Sequence, residues 1–380
     1  MINSIEPILV IIGTRPEAIK MAPVIYELKK SYKVKICNSG QHQEMINQVL
    51  NLFNIKADFD LNIMKDNQDL IDINIKVLRG VKKVLLSEKF SIVIVHGDTS
   101  TTMSASLAAF YLKIPVYHVE AGLRTNNIDS PFPEELNRQI VSRIASIHFA
   151  PTKTARNNLL RENIPNEKIC ITGNTVIDSL LSIVKKARTF EYSDYLIEEL
   201  PFLNFKQNTN SRIILVTGHR RENFGSGIIS ICNALKDIAL LYPNDKIVYP
   251  VHLNPNVKDP VNRILSNVDN IYLIKPLDYL NFVKLMDNSY IIITDSGGIQ
   301  EEAPSLGKPV LVTRELSERE EAIKAGTVIL VGSDRGKICN EVEKLLENKN
   351  IYEEMSIIHN PYGDGKASKR ISSFIQGVFQ

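Results

Sequence analysis

Residues 8–20 have the sequence ILVIIGTRPEAIK, which is five apolar residues, a Gly-Thr-Arg turn and the start of a helical pattern. A continuous run of branched apolar residues is typical of a strand that is buried on both faces of a parallel sheet. Thr14 and Glu17 have the spacing of a helix capping box, and Pro16 suits the first turn of a helix. The segment therefore predicts a strand followed directly by a helix.

The same alternation of short Ile- and Val-rich runs with helical stretches occurs in two series, separated by a less patterned polar stretch at residues 191–210. This alternation predicts two parallel sheets built from strand-helix-strand units. The strands of the first series are predicted at Ile8–Ile12, Lys33–Cys37, Ile92–Val95, Val116–Val119, Ile147–Phe149 and Ile169–Ile171. Those of the second series are predicted at Ile213–Val216, Ile247–Val251, Ile271–Ile274, Ile291–Thr294, Val310–Val312 and Val328–Val331.

We therefore predict an α/β protein of two doubly wound, Rossmann-like parallel-sheet domains that face a cleft. The predicted domains are residues 1–172 and 173–364, and residues 365–380 form a C-terminal helix that could pack back on the N-terminal domain. A chain of 380 residues is also longer than one hydrophobic core usually organises, which favours two domains.

Composition and missing motifs exclude several functional classes. Lysine and arginine total 45 against 43 acidic residues, so the net charge of +2 gives no reason to expect a nucleic acid or membrane partner. The first apolar run is too short for a signal peptide or a membrane span, and the four cysteines lack metal-ligand spacing, which favours a reduced, cytoplasmic protein. The sequence has no GxxxxGK[ST], GxGxxG or HExxH motif, so we expect neither a cofactor nor a metal.

Polar residues follow nearly every predicted strand. Ligands of open parallel sheets bind outside the carboxyl ends of the strands, so these residues are the candidate site, although any single one could be an ordinary turn. They are Gly13-Thr14-Arg15, Ser39-Gly40-Gln41-His42, His96-Gly97-Asp98, His118-Val119-Glu120, Gly218-His219-Arg220-Arg221, His252 and Asp295-Ser296-Gly297-Gly298.

Residues 294–302, with the sequence TDSGGIQEE, form the strongest candidate for an anion site. Two glycines allow close approach of a diphosphate, and free amides at a helix N-terminus favour its negative charge. Glu302 could accept hydrogen bonds from ribose hydroxyls, and Arg15 and Lys20 could hold phosphate oxygens. The alternative is an ordinary capped turn, which Ser-Gly-Gly also suits.

Three carboxylates are the candidates for proton transfer: Asp98, Glu120 and Glu134. Together with the basic His219-Arg220-Arg221 segment they suit proton transfers beside a diphosphate leaving group. The structural alternatives are that Asp98 caps the following helix and that Glu120 pairs with Arg124.

Longer motifs carry a resemblance to a known family. They are GTRPEAIKMAP from Gly13, GQH from Gly40, HGDT from His96, HVEAGLRT from His118, PFPEELNR from Pro131, TGNTVID from Thr172, TGHRREN from Thr217, HLNPNV from His252, TDSGGIQEEAPSLGKPVLV from Thr294 and NPYGDGKAS from Asn360. Along nearly its whole length the chain resembles the bacterial UDP-N-acetylglucosamine 2-epimerases. The resemblance implies a glycosyltransferase-B type of fold, a homodimer, and conversion of UDP-N-acetylglucosamine to UDP-N-acetylmannosamine by elimination and re-addition of UDP.

The resemblance also implies roles for individual residues. Asp98 and Glu134 would handle protons, and Glu120 would orient the substrate or stabilise charge. The complete set of implied residues is Asp98, Glu120, Glu134 and His219 for catalysis, and Arg15, Lys20, Arg138, His219, Arg221, Phe282, Ser296, Gly297, Gly298 and Glu302 for binding of UDP and the sugar.

Some features leave alternatives open. Gln41, His42 and Gln68 match part of an allosteric site found in some members, whereas Glu44 and Asn67 depart from it, and Glu320 stands where the family has proline. A hydrolysing relative, which releases UDP and free N-acetylmannosamine, shares almost all of these motifs. A glycosyltransferase would need an acceptor groove, against which the acidic 131–138 segment argues, and a non-catalytic sensor would have lost the three carboxylates.

Overall fold

The structure is a computed structural model that describes residues 6–41, 43–64, 68–204, 211–316, 319–357 and 360–379. The chain divides into two compact units, Met1–Ser179 with Tyr362–Gln380, and Leu180–Pro361. It passes from the first unit to the second within one helix, Thr175–Thr189. None of the helices in the described ranges is long and apolar enough to cross a membrane.

The first unit contains a seven-stranded parallel sheet. Its strands are β1 (Ile8–Ile12), β2 (Val34–Asn38), β3 (Phe59–Asp60), β4 (Ile92–His96), β5 (Val116–Val119), β6 (Ile147–Ala150) and β7 (Ile169–Ile171), in the spatial order β3-β2-β1-β4-β5-β6-β7. The helices between them are α1 (Arg15–Lys29), α2 (Gln43–Leu52), α3 (Leu70–Ser87), α4 (Ser100–Tyr111), α5 (Glu134–Ile144) and α6 (Lys153–Arg161), and α7 (Thr175–Thr189) follows.

The second unit contains a six-stranded parallel sheet. Its strands are β8 (Ile213–Thr217), β9 (Lys246–Pro250), β10 (Ile271–Ile274), β11 (Ile291–Thr294), β12 (Val310–Val312) and β13 (Val328–Leu330), in the order β10-β9-β8-β11-β12-β13. Its helices are α8 (Asp194–Glu199), α9 (Ser226–Leu241), α10 (Pro255–Leu265), α11 (Tyr279–Asn288), α12 (Gly297–Glu302), α13 (Glu320–Ala325), α14 (Arg335–Glu347) and α15 (Lys349–Ile357).

The last helix, α16 (Ala367–Phe379), belongs to the first unit. It packs against α1, and the ring of Phe374 meets that of Phe149 on β6 edge to face, with the ring centroids 5.6 Å apart. Helices thereby cover the faces of the sheet, which explains why its central strands are apolar at every position rather than at alternate ones.

The predicted fold class, two parallel-sheet α/β domains, is confirmed. Each predicted strand is present with ends that differ by one residue at most. One strand was missed, β3, because its two residues lie at the sheet edge and are too short to form a pattern. In both sheets the strand order reverses beside the first strand of the series, between β1 and β4 and between β8 and β11. Ligands of such sheets bind at these reversal points.

Candidate active site

The loop after β1 lies tightly against the start of α4. A Cβ atom on Gly13 would be 2.3 Å from the Thr101 hydroxyl and 2.4 Å from the Ser39 hydroxyl, so only glycine fits. The predicted capping box is present, because Glu17 Oε2 accepts from the Thr14 backbone nitrogen at 2.7 Å. Glu17 Oε1 also accepts from the Thr99 hydroxyl at 2.7 Å, so one buried carboxylate joins the β1 and β4 loops.

Asp98, which follows β4, is paired with a cation. Arg138 of α5 donates through Nε to Asp98 Oδ2 at 2.8 Å and through Nη1 to Glu135 Oε2 at 3.1 Å. The Asn137 amide donates to the Asp98 backbone carbonyl at 2.8 Å. The alternative that Asp98 caps α4 is wrong, because Thr99 is the capping residue. Arg138, predicted to bind substrate, therefore holds a predicted catalytic carboxylate.

Glu120, which follows β5, is also paired with a cation. The Lys20 ammonium of α1 donates to Glu120 Oε2 at 2.5 Å, and both side chains are nearly buried. Burial acts to raise the pKa of Glu120, but the charge of Lys20 and then the His96 ring more than reverse this, so the pKa lies well below its usual value. The alternative Glu120–Arg124 pair is wrong, because Arg124 bonds Glu162 at 2.6 Å. The predicted phosphate role of Lys20 stays a prediction.

Two histidines of the same sheet, His118 on β5 and His148 on β6, are fully buried. The Nε2 atom of His118 is 2.7 Å from the Gly97 carbonyl, so it donates there and fixes the turn that presents Asp98. Burial and the neighbouring His148 lower the pKa of His118 to about 3, and burial and Arg124 lower that of His148 to about 4. Both rings are therefore neutral near pH 7.

Glu134 is the first residue of α5, and its side chain is partly exposed. The free amides of a helix N-terminus favour a carboxylate at this position. Unlike Asp98 and Glu120, it forms no ion pair within the part of the chain that is described. The three predicted carboxylates thus differ, since two are each bound by a cation and the third lies at a helix end.

In the second unit, Asp295 after β11 fixes the loop after β8. Its Oδ2 atom accepts from the backbone nitrogens of His219 at 2.8 Å and Arg220 at 2.9 Å. Its Oδ1 atom lies 3.5 Å from Nδ1 of His219, whose ring stacks on His252 with centroids 5.6 Å apart. Burial lowers the pKa of His219, and the nearby Asp295 charge acts against this shift. His219 thus presents Nε2 on a ring oriented by a buried carboxylate.

Ser296-Gly297-Gly298 begins α12, as predicted from the sequence. The two glycines have different surroundings. A Cβ atom on Gly297 would be 2.6 Å from the Arg319 guanidinium carbon, whereas one on Gly298 would meet, among the described residues, only the Ser296 hydroxyl at 3.9 Å. Gly297 is therefore required by packing against Arg319, and the space beside Gly298 is open for a ligand to approach the backbone.

Glu302, at the end of α12, accepts from the Tyr279 hydroxyl at 2.5 Å. Tyr279 is the first residue of α11, and Phe282 lies one turn further along the same helix with its ring partly buried. The Tyr279–Glu302 hydrogen bond therefore connects Glu302, which is predicted to bind the ribose, to α11. The same helix carries Phe282, which is predicted to contact uracil.

The remaining predicted residues are less fully defined by contacts. Arg15 is the first residue of α1 and is partly exposed, and Arg221 lies in a short 3-10 helix after β8 and is exposed. Gln41 Oε1 accepts from the Thr101 hydroxyl at 3.1 Å, and Gln68 immediately precedes the cap of α3. His42 lies outside the described residues.

Comparison with known proteins gives the family. The family model described as UDP-N-acetylglucosamine 2-epimerase matches residues 26–376. The chain belongs to the UDP-N-acetylglucosamine 2-epimerase family. A relative of that name from Salmonella typhimurium is 56% identical over 367 residues, which is 96% of each chain.

Solved structures agree with this assignment. A UDP-GlcNAc 2-epimerase from Neisseria meningitidis, solved bound to UDP-GlcNAc, has a TM-score of 0.90 and 52% identity over 98% of this chain and 100% of that one. S. aureus MnaA, solved with UDP, has a TM-score of 0.87 and 42% identity over 99% of this chain and 97% of that one. The predicted resemblance and the predicted enzyme class, an isomerase, are confirmed.

Sequence reasoning about this epimerase-family chain missed several contacts. It noted Glu17 only as a capping residue and Asp295 only as part of a loop, and it gave no role to His96, Asn137 or Tyr279. The positions of His96 and Asp295 at strand ends placed both among the candidate site residues, but the sequence did not show which groups they contact. Asn137 and Tyr279 lie on helices, and no local pattern distinguishes them.

Proposed function

We propose that this protein interconverts UDP-N-acetylglucosamine and UDP-N-acetylmannosamine by inverting carbon 2 of the sugar, without net hydrolysis. The observation that carries the proposal is a pair of cation-bound carboxylates, Asp98 with Arg138 and Glu120 with Lys20, at the ends of neighbouring strands β4 and β5. The family match along nearly the whole chain supports the substrate class.

The hydrogen on carbon 2 is hardly acidic, so its direct removal would be slow. In the proposed reaction the bond between carbon 1 and the UDP oxygen breaks, and positive charge develops on the sugar ring. This charge acidifies the neighbouring C–H bond, a base removes the proton, and 2-acetamidoglucal and UDP remain bound. UDP then adds back to carbon 1 while a proton reaches carbon 2 from the opposite face.

The surroundings of the carboxylates support a division of roles. Glu120, whose pKa lies below its usual value, stays negative and stabilises positive charge on the ring. Asp98 and Glu134 then serve the two faces of carbon 2, one removing the proton and the other returning one. The Arg138 pair orients Asp98, and Glu134 is placed at the first position of α5.

We assign the UDP moiety to the second unit. Gly298 offers open backbone beside Ser296, and Glu302 lies at the other end of the same short helix to accept from ribose hydroxyls. His219, oriented by Asp295, is proposed to contact the diphosphate with Nε2. Arg221, in the same unit, is proposed as a further phosphate ligand, and the predicted phosphate role of Arg15 stays a prediction.

The predicted homodimer belongs to the proposal as well. The first unit exposes large apolar side chains on the packed helices α3 and α4, namely Ile71, Ile75, Leu86, Phe110 and Tyr111. Exposed apolar surface of this kind favours association. Light scattering should give twice the chain mass, and a monomer would refute it. The cytoplasmic location and the absence of a cofactor stay predictions.

The decisive experiment is proton and phosphorus NMR of the protein with UDP-N-acetylglucosamine in deuterated water. The proposal expects a mixture of two UDP-sugars with deuterium at carbon 2 and UDP still attached. Stoichiometric free UDP with N-acetylmannosamine would assign the protein to the hydrolysing alternative. An unchanged substrate would refute both and reopen the glycosyltransferase alternative.

A further inference from the structure

His96, the last residue of β4, is a buried side chain that the proposed reaction does not yet use. Only 3% of the residue is exposed, and neither ring nitrogen has a hydrogen-bond partner in the described part of the chain. A buried polar group without a hydrogen-bond partner lowers the stability of the fold. An unpartnered buried imidazole at the edge where ligands bind therefore points to a function that apolar packing would not serve.

The charged group that the His96 ring faces is Glu120. Nε2 of His96 lies 3.6 Å from Glu120 Oε2, the same oxygen that accepts from Lys20. Glu120 Oε1 accepts no hydrogen bond from the described residues, which leaves this atom available to a substrate. The two oxygens of the Glu120 carboxylate thus differ. Oε2 faces the nitrogens of Lys20 and His96, whereas Oε1 accepts no hydrogen bond within the described part of the chain.

The backbone of Glu120 supports the same conclusion. Its φ is +61°, in the left-handed region that residues with a side chain seldom adopt. Such a conformation persists only where the surroundings fix it, and it occurs often at functional sites. Here it directs the carboxylate toward Lys20 and His96.

We propose that His96 is a positioning residue of the epimerase reaction: its Nε2–H, together with the Lys20 ammonium, holds Glu120 Oε2 so that Oε1 faces the sugar. This inference rests on the proposed function. The separation of 3.6 Å shortens to a hydrogen bond when substrate binds, as hydrogen bonds of unliganded active sites commonly do. His96 then stabilises the negative form of Glu120 while positive charge develops on the ring.

The charged and titratable groups around His96 define the expected effect of pH. They are Glu120 after β5, Lys20 on α1, His118 on β5 and Asp98 two residues further along the chain. Removing the Nε2 donor leaves Lys20 as the remaining group that favours ionised Glu120, so the pKa of Glu120 rises. Activity that needs the ionised form then declines at a higher pH than in the natural protein.

Two substitutions separate a positioning role from a packing role. His96→Phe keeps a ring of similar size but has no donor, whereas His96→Gln places an amide N–H close to the former Nε2 position. The matched control is His148→Phe on β6, because His148 is also fully buried but has no ion pair with a carboxylate among the described residues. Circular dichroism and thermal unfolding establish that each variant is folded.

We expect His96→Phe to lower kcat about 10- to 100-fold, the effect of losing one charge-assisted hydrogen bond, with a much smaller change in KM. The acid limb of its kcat profile should move to higher pH. His96→Gln should recover most of kcat, and His148→Phe should leave the profile in place. Equal losses in His96→Phe and His96→Gln, or an unmoved acid limb, would overturn the inference.

A second measurement is independent of turnover. Carbon NMR of protein labelled at the glutamate carboxyl carbons follows the titration of Glu120, whose signal is identified by its disappearance in Glu120→Gln. The Glu120 signal should titrate at higher pH in His96→Phe than in the natural protein, and coincident curves would refute the inference. A natural protein that fails to convert UDP-N-acetylglucosamine would refute the proposed function, while the titration would still decide the role of His96.

Discussion

Replacing Lys20 with methionine removes the ammonium of the Lys20–Glu120 pair while keeping a long side chain in place. Both side chains are nearly buried, with 11% and 10% of their surface exposed. Removing one partner of such a pair leaves an uncompensated buried charge and costs about 3–5 kcal/mol. We therefore expect Lys20→Met to lower the free energy of unfolding of the first unit by about this amount near pH 7.

The expected pH dependence follows from the direction of the Glu120 shift. A carboxyl whose pKa is lower in the folded than in the unfolded state contributes stability above its unfolded pKa, and this contribution is lost as pH falls through the folded value. In Lys20→Met the folded pKa rises, so Glu120 can take up a proton at mildly acid pH. The difference in the free energy of unfolding between Lys20→Met and the natural protein should therefore decrease as the pH falls from about 7 toward about 4.

The assay is hydrogen–deuterium exchange of peptides from β4 and β5 across a urea series, because these peptides report on the first unit alone. The matched control is Lys30→Met at the end of α1, where the Lys30–Glu27 pair has a lysine that is 63% exposed. Surface pairs of this kind contribute at most about 1 kcal/mol. The double substitution Lys20→Met with Glu120→Gln removes both charges and should recover most of the loss.

Two results would refute this reasoning. One is a decrease in the free energy of unfolding in Lys20→Met that is no greater than the decrease in Lys30→Met. This result would mean that the Lys20–Glu120 pair behaves as a surface pair. The other is a loss that grows on acidification, because an uncompensated carboxylate becomes less costly, not more, when it is protonated.

Three further predictions concern catalysis, nucleotide binding and acid stability. Asp98→Asn should lower turnover by at least about 100-fold while calorimetry still detects UDP binding, and loss of UDP binding would contradict its catalytic role. Gly298→Ala should weaken UDP binding about tenfold without lowering the urea midpoint, because among the described residues the new methyl group meets only the Ser296 hydroxyl at 3.9 Å. An unchanged Kd would place the phosphate elsewhere. The pKa values of His118 and His148 are lowered in the folded state, so below about pH 6.5 the unfolded state binds protons that the folded state does not. Each of these two histidines should therefore reduce the free energy of unfolding by about 1.4 kcal/mol per pH unit, down to about pH 4. Urea unfolding of His148→Phe should have a correspondingly shallower pH dependence, and an identical slope would contradict the assigned pKa.

The amino-acid sequence determined the features that depend on neighbouring residues. Continuous apolar runs gave the parallel strands, since a strand covered on both faces needs apolar side chains at each position. The spacing of Thr14 and Glu17 gave the capping box, because that bond closes within one helical turn. Residues that follow strands gave most of the candidate site, because all strands of a parallel sheet end at the same edge.

The tertiary structure alone decided which cation binds which carboxylate. Lys20 and Glu120 are 100 positions apart and Asp98 and Arg138 are 40 apart, and they meet because β4 lies between β1 and β5 in the sheet and because α5 packs on α4. Reasoning from nearby residues instead suggested Arg124 for Glu120 and a capping role for Asp98, both of which were wrong. Charge attraction depends on distance in space, and the order of strands sets that distance.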